Sequence, residues 1–221
     1  MNRAAITKAK RVVIKIGSSS LTGSAGSELD SHAVQKVVDL ASNLKNRGAE
    51  VVVVSSGAIA AGLSPLGLKV RPKDLATQQA AASVGQGLLI AQYSEKFKEH
   101  GVISSQVLLT TEDVVRRSHY ANAQQTLSKL LSLGVIPIIN ENDTVVTDEI
   151  KFGDNDSLAA LVSNLIDADL LVILTDQGGL YTADPRQNAD ATLLCNAIAG
   201  DPALEQMAGG AASELSKGGM L

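Results

Sequence analysis

Short apolar runs alternate along the chain with longer segments of helical period. Five of the runs have the length of β-strands: Arg11 to Ile16, Glu50 to Ser55, Ile103 to Leu108, Val135 to Ile139 and Asp169 to Leu174. Strands that alternate with helices in this way are typical of a parallel sheet with helices packed on its faces. The pattern therefore predicts an α/β fold.

The segment from Asp30 to Arg47 is the clearest helix. Its apolar residues recur every three or four positions and fall on one face: Val34, Val37, Val38, Ala41 and Leu44. Aspartate is a frequent N-cap, and a glycine, Gly48, follows the predicted end. We predict a helix with these bounds.

Three further helices are predicted: Lys73 to His100, Tyr120 to Leu133 and a segment that Asp154 opens as N-cap. Gly85 and Gly87 inside the first of these predict a bend or the close approach of another element. The segment from Thr144 to Phe152 is predicted to form a strand pair or an extended flap. The last segment, Gly200 to Leu221, has weak periodicity, so no element is predicted there.

The composition favours one domain, and we predict that it spans residues 1–221. A chain of 221 residues with 45% hydrophobic content can bury one sizeable core. The apolar residues are mostly Ala, Val, Ile and Leu with 2% aromatic residues, which suits strands buried on both faces. The net charge is −4 and the basic residues are scattered, which favours a small-molecule partner over a nucleic acid or a membrane.

Cysteine and histidine content bears on disulfides and metals. Cys195 is the only cysteine, which excludes an internal disulfide and fits a reducing compartment. The three histidines are far apart in sequence, so we expect no zinc site.

The first apolar run is interrupted by Lys15 and is too short for a signal peptide, and no run has a membrane-spanning length. We expect a soluble, cytoplasmic protein.

Ligands of open α/β sheets bind at the carboxyl ends of the strands, so the residues after each strand are the candidates for chemistry. The first strand runs into the small residues Gly17 to Ser20, whose backbone N–H groups would suit phosphate oxygens, and Lys15 supplies positive charge. An ordinary turn with a solvated lysine is the alternative. The second strand ends at Ser56 and Gly57, which would suit a ligand close to the backbone or simply a tight turn.

Polar residues also follow the fourth and fifth strands. The fourth is followed by Asn140 to Asp143, a set of carboxylates and amides that suits an ammonium group, although capping of a turn also explains it. Gly153 to Asp156 then opens a helix that needs one acid as N-cap, which leaves at least one side chain free to act. The fifth strand ends in Thr175 and Asp176, and the glycines that follow, Gly178 and Gly179, either permit the close approach of a ligand or form a flexible loop.

Five blocks at these strand ends resemble the amino-acid kinase family, in the branch whose members phosphorylate glutamate. They are Lys15-Ile-Gly-Ser, Ser56-Gly-Ala-Ile-Ala-Ala-Gly, Asn140-Glu-Asn-Asp, Gly153-Asp-Asn-Asp, and Leu174-Thr-Asp-Gln with Gly179-Leu-Tyr-Thr-Ala-Asp-Pro-Arg. The resemblance covers nearly the whole chain. It implies a three-layer αβα sandwich with a mainly parallel central sheet. The implied reaction is transfer of the γ-phosphoryl group of ATP to the γ-carboxylate of L-glutamate, the first step of proline synthesis, with Mg²⁺ accompanying ATP.

The resemblance also implies roles for individual residues. The catalytic pair is Lys15, at the transferring phosphoryl group, and Asp156, which organises the lysines. The glutamate pocket comprises Ser56, Gly57, Ala58, Asp143 and Asn155. The nucleotide site comprises Lys15, Gly17, Ser18, Thr175, Asp176, Lys217, Gly218, Gly219 and Met220. No ligand of Mg²⁺ follows from the blocks. Members form dimers and tetramers, so the resemblance also implies a homo-oligomer, with proline as a feedback inhibitor.

The chain departs from the family near its end. Members carry Gly-Thr-Gly-Gly-Met-x-Thr-Lys, whose final lysine reaches the ATP phosphates, whereas this chain has Lys217 in place of the first threonine and ends at Leu221. We expect the last strand and helix of the family domain, and the RNA-modification-type domain beyond it, to be absent. Two alternatives are a kinase for a related acid such as N-acetylglutamate, and a glutamate-binding protein with impaired catalysis.

Overall fold

A five-stranded sheet forms the centre of the computed structural model, which describes residues 6–23, 28–145, 155–204 and 207. The strands are β1 (Arg11–Ile16), β2 (Glu50–Ser55), β3 (Ser104–Leu109), β4 (Ile136–Glu141) and β5 (Leu170–Leu174). Their order is β3-β4-β2-β1-β5, and every neighbouring pair is parallel. The predicted parallel sheet is confirmed, and the five predicted strands match the observed ones to within two residues at each end.

Seven helices flank this sheet in the described part of the chain. They are α1 (Ser18–Leu21), α2 (Ser31–Asn46), α3 (Ala58–Leu63), α4 (Leu75–Glu99), α5 (Thr111–Val115), α6 (Arg117–Ser132) and α7 (Asn155–Leu165). Helices α1 to α4 contribute to the core on one face of the sheet, and α5 to α7 contribute to the core on the other. The three-layer αβα architecture is confirmed.

Alternation along the central strands distributes side chains between the two cores. In β1, Val12, Ile14 and Ile16 face α2 and α4, whereas Val13 faces α6 and α7. Because both faces of β1 are covered, every valine and isoleucine in it is buried. The same alternation directs the Lys15 side chain toward the α7 layer.

Helix caps explain where two of the long helices begin. The Asp30 carboxylate accepts hydrogen bonds from the backbone N–H groups of His32 (2.8 Å) and Ala33 (3.3 Å), as the sequence predicted for α2. Asp74 accepts from the Thr77 N–H at 2.9 Å and starts α4. Helix α6 begins at Arg117, three residues before the predicted start, directly after α5.

Three short helices differ from the predictions. The segment Gly17 to Ser20 was predicted to be a turn, but Ser18 begins α1, and α3 follows Gly57 where only a tight turn was expected. Helix α5 was not predicted. A capping box between Thr110 and Asp113 stabilises its start. These helices have fewer than seven residues, too few for the helical period to show in the sequence.

The backbones of helices α3 and α4 are in close contact where the two helices cross. An added Cβ at Gly85 would lie 1.8 Å from the carbonyl oxygen of Ala58, and one at Gly62 would lie 1.9 Å from that of Ala81. The close approach predicted at Gly85 is therefore confirmed. Gly87, two residues further along α4, has nothing within 4 Å of the same position.

Several predictions concern residues outside the described ranges. These are most of the Thr144 to Phe152 flap, the N-cap Asp154, and the end of the chain from residue 208 onward. Thr144 and Val145 are described and lie in a turn. No described helix combines the length and the apolar character that crossing a membrane requires.

Candidate active site

The carboxyl ends of β1, β2 and β4 meet the N-terminus of α7. Because these strands are parallel neighbours, the residues that follow them lie along one edge of the sheet. Helix α7 begins at this edge with Asn155 and Asp156. Successive residues of a helix point about 100° apart, so these two side chains reach different strands.

Asp156 reaches β1, where it forms an ion pair with Lys15. The distance from Lys15 Nζ to Asp156 Oδ1 is 2.5 Å, and the two side chains are 8% and 14% exposed. A charge this deeply buried needs a partner of opposite sign, and each group supplies that partner for the other. The backbone at Gly17 adjoins the ammonium group, since a Cβ there would lie 3.4 Å from Lys15 Nζ. The predicted catalytic pair is therefore in contact.

Asn155 reaches β2 and β4 with its side-chain amide. Its Nδ2 donates to Ser56 Oγ at 2.7 Å and to Asn140 Oδ1 at 3.0 Å. These two bonds use both amide hydrogens. Asn155 is 3% exposed, and its Oδ1 is buried with no hydrogen-bond partner among the described residues. Buried polar atoms without partners are uncommon in folded proteins, so this oxygen is a candidate acceptor for a ligand donor.

Gln86 extends this group of amides into α4. Its Oε1 accepts a hydrogen bond from Asn140 Nδ2 at 2.7 Å. The sequence did not reveal this residue, because α4 carries four glutamines and nothing in their spacing distinguishes this one. Only the fold shows that it faces Asn140 across 54 positions of the chain.

Asp143 follows β4 and is half-buried. Burial, together with the negative charge of Glu141, raises the pKa of its carboxyl group to about 7, although the positive charge of Arg71 acts in the opposite direction. A cationic ligand beside this carboxyl group would lower its pKa, because a nearby positive charge favours the ionised form.

Gly57 shapes the turn between β2 and α3. Its φ is 107°, in the left-handed region that a residue with a side chain rarely adopts. The Ser56 N–H donates to the Ile16 carbonyl at 3.1 Å, which fixes the turn against β1. Ala58 then starts α3, where the first N–H groups have no partner within the helix.

Thr175 and Asp176 follow β5 and are exposed. The Thr175 hydroxyl accepts from the Gln177 N–H at 3.2 Å. Since β5 pairs with β1, both residues lie at the same sheet edge as Lys15, one strand away. Of the other predicted site residues, Lys217, Gly218, Gly219 and Met220 lie outside the described ranges.

The described residues contain no group of three or more His, Cys, Asp or Glu side chains able to hold a metal ion. Cys195 is exposed and unbonded. The site thus consists of a buried ion pair next to a cluster of amides and hydroxyls.

Known proteins resemble this chain in sequence and in fold. It is 55% identical to the glutamate 5-kinases of Burkholderia thailandensis and Burkholderia cenocepacia over 219 residues, which is 99% of this chain and 59% of each relative. The chain therefore spans less than two thirds of the length of these curated relatives.

Two solved structures share the fold. One is a UMP kinase from Bacillus anthracis, with a TM-score of 0.55, 15% identity, and coverage of 84% of this chain and 72% of that one. The other is the product complex of an isopentenyl phosphate kinase from T. acidophilum, with a TM-score of 0.55, 21% identity, and coverage of 83% and 78%. Residues 10–221 match the model of the Amino acid kinase family. The chain belongs to the amino acid kinase family.

Proposed function

We propose that this protein transfers the γ-phosphoryl group of ATP to the γ-carboxylate of L-glutamate. The observation that carries the proposal is the start of α7, where adjacent residues join a buried amide pocket (Asn155) to a buried ion pair (Asp156). An amino acid held by the first would extend its side chain toward the second. The 55% identity to relatives named glutamate 5-kinase supports this choice of substrate.

The amide pocket suits the zwitterionic end of an amino acid. Asn155 Oδ1 is a free buried acceptor for the α-ammonium group, and the Asp143 carboxylate supplies the balancing charge. Ser56 Oγ accepts from Asn155, so its own hydrogen remains available for the α-carboxylate. The backbone N–H groups at Gly57 and Ala58 complete that half of the pocket.

The ion pair suits the transferring phosphoryl group. Phosphoryl transfer asks for alignment and charge stabilisation more than for covalent chemistry. Lys15 stabilises negative charge on the phosphoryl oxygens, while Asp156 holds its ammonium group in place. A glutamate γ-carboxylate is already ionised at neutral pH, so no side chain has to act as a base.

The backbone at Gly17 and Ser18 adjoins the phosphates, and Thr175 and Asp176 adjoin the rest of the nucleotide. We place Lys217, Gly218, Gly219 and Met220 in the same nucleotide site. Mg²⁺ supplies charge neutralisation on the phosphates when bound with ATP. The described residues include no group of three or more His, Cys, Asp or Glu side chains that could hold the ion. Phosphate oxygens and water are the ligands that we propose.

The test is ADP release measured in parallel with glutamate, aspartate and N-acetylglutamate. Because the chain spans 59% of its relatives' length, the assay compares it with a chimera that continues into the remaining part of the Burkholderia thailandensis relative. We expect turnover from the chimera, with glutamate the preferred substrate. Glutamate binding without turnover in the chimera would contradict a kinase.

The rate with N-acetylglutamate tests whether the pocket binds the free ammonium group of the substrate. Acetylation removes the positive charge of the amine and leaves Asp143 and Asn155 Oδ1 without a donor, so we expect rejection by about three orders of magnitude. Aspartate is one methylene shorter, and we expect poor turnover because its carboxylate does not reach the phosphoryl group. Similar rates with glutamate and N-acetylglutamate would refute the ammonium pocket.

A further inference from the structure

Three side-chain amides form a line from α4 to the start of α7. Gln86 Oε1 accepts from Asn140 Nδ2 (2.7 Å), and Asn140 Oδ1 accepts from Asn155 Nδ2 (3.0 Å). Asn140 and Asn155 are 2% and 3% exposed, so water does not compete for these bonds. We call these three residues the amide relay.

The direction of the relay decides which atom of Asn155 remains for a ligand. In the observed direction, Asn155 donates to both Asn140 and Ser56 and keeps its oxygen free. Asn140, Asn155 and Ser56 can each donate and accept, so the reverse direction would satisfy the same contacts only if Gln86 turned its amide and donated to Asn140 instead of accepting from it. In that direction the Asn155 oxygen would be occupied and its NH₂ group would face the ligand. An NH₂ group cannot accept from an ammonium ion.

We propose that Gln86 is a positioning residue that keeps Asn155 Oδ1 available to the substrate ammonium group. It acts through Asn140, whose NH₂ group it engages. Without this acceptor, Asn140 would carry a buried unpaired donor next to Asn155, which carries a buried unpaired acceptor. The two would pair with each other and remove the ligand acceptor. The inference rests on the proposed amino-acid pocket.

Substitutions at Gln86 test the direction of the relay. Gln86→Met cannot accept, and we expect the glutamate Kd and KM to rise about tenfold or more while the KM for ATP is unchanged. In Gln86→Glu the ionised carboxylate can only accept, so this variant keeps the observed direction and should restore glutamate affinity. Gln92→Met is the matched control, since it makes the same change on the same helix outside the relay, and we expect wild-type affinity from it.

A second set of variants separates positioning from charge and packing. In an Asn140→Ala background the relay is broken, so Gln86→Met and Gln86→Glu should cause no further change in glutamate affinity. An unchanged glutamate Kd in Gln86→Met with Asn140 intact, or an equally large effect without Asn140, would overturn the inference.

Nuclear magnetic resonance examines the relay without any substrate. The Asn155 side-chain NH₂ signals, assigned through Asn155→Asp, should shift in Gln86→Met and stay in place in Gln92→Met. Unshifted signals in Gln86→Met would overturn the relay even if glutamate binds. Conversely, shifted signals together with no glutamate binding by the wild type would refute the proposed function and leave the relay standing.

Discussion

Replacing Gly85 by alanine should destabilise the protein strongly, although alanine is the better helix former. The new Cβ would lie 1.8 Å from the Ala58 carbonyl oxygen, 2.4 Å from the Gly62 nitrogen and 2.9 Å from the Ala58 carbonyl carbon. All three are backbone atoms, so no side chain can rotate away. To restore an ordinary contact distance, α3 would have to move by about 1.5 Å.

The size of the effect follows from two opposing terms. Alanine in a helix interior is about 1 kcal/mol more favourable than glycine. Overpacking of a closely packed site typically costs about 1–3 kcal/mol and more where backbone must move, as it must here. We expect the free energy of unfolding to fall by about 3 kcal/mol, which corresponds to a Tm lower by about 6–12 °C for a chain of this size.

Gly87→Ala is the control, because it makes the same change on the same helix with nothing within 4 Å. Gly87→Ala raises the helix propensity of α4 without creating a steric overlap, so its Tm should rise by about 2–4 °C. Calorimetry or circular dichroism measures both values. If Gly85→Ala melted within about 2 °C of the wild type, the close crossing of α3 and α4 would be refuted.

Three further predictions concern the proposed site. Lys15→Met should lower kcat about a hundredfold or more and leave glutamate affinity unchanged, since it removes one charge-stabilising donor; near-normal turnover in the chimera would contradict the role of Lys15. Asp143→Ala should weaken glutamate binding strongly and leave the KM for ATP unchanged. Since the pKa of Asp143 is raised to about 7 and an ammonium ion binds the ionised form, glutamate affinity should be about tenfold weaker at pH 6 than at pH 8. The Asp143→Asn variant should lose this pH dependence, and a profile that keeps its shape would exclude Asp143 as the titrating group.

The regular elements were predictable because their signals are local. Strands β1 and β2 have the predicted bounds, since runs of valine and isoleucine buried on both faces leave little ambiguity. Helix α2 was predictable from its apolar face and from Asp30. The strand order was not predictable, because β4 separates β3 from β2 through contacts between residues distant in sequence.

The candidate site likewise has a part that local sequence patterns predict and a part that they do not. The glycines and polar residues after the strands identify the edge of the sheet where Lys15, Ser56 and Asn155 meet. No local pattern shows that Lys15 pairs with Asp156 across 141 positions, or that Gln86 faces Asn140. Family resemblance supplied the first of these pairings and the folded structure supplied the second.

The start of α7 explains why the two halves of the site keep a fixed separation. Asn155 and Asp156 are adjacent on a helix whose apolar residues Leu158, Val162 and Leu165 are buried in the core beneath the sheet. A rigid helix sets the distance and angle between the two side chains more closely than a loop would. Since the proposed phosphoryl transfer depends on alignment, misplacement by about 1 Å would be costly to its rate. A change that shifts α7 would therefore displace Asn155 from Ser56 and Asp156 from Lys15 together, so substrate affinity and turnover should fall together in any variant that loosens this helix.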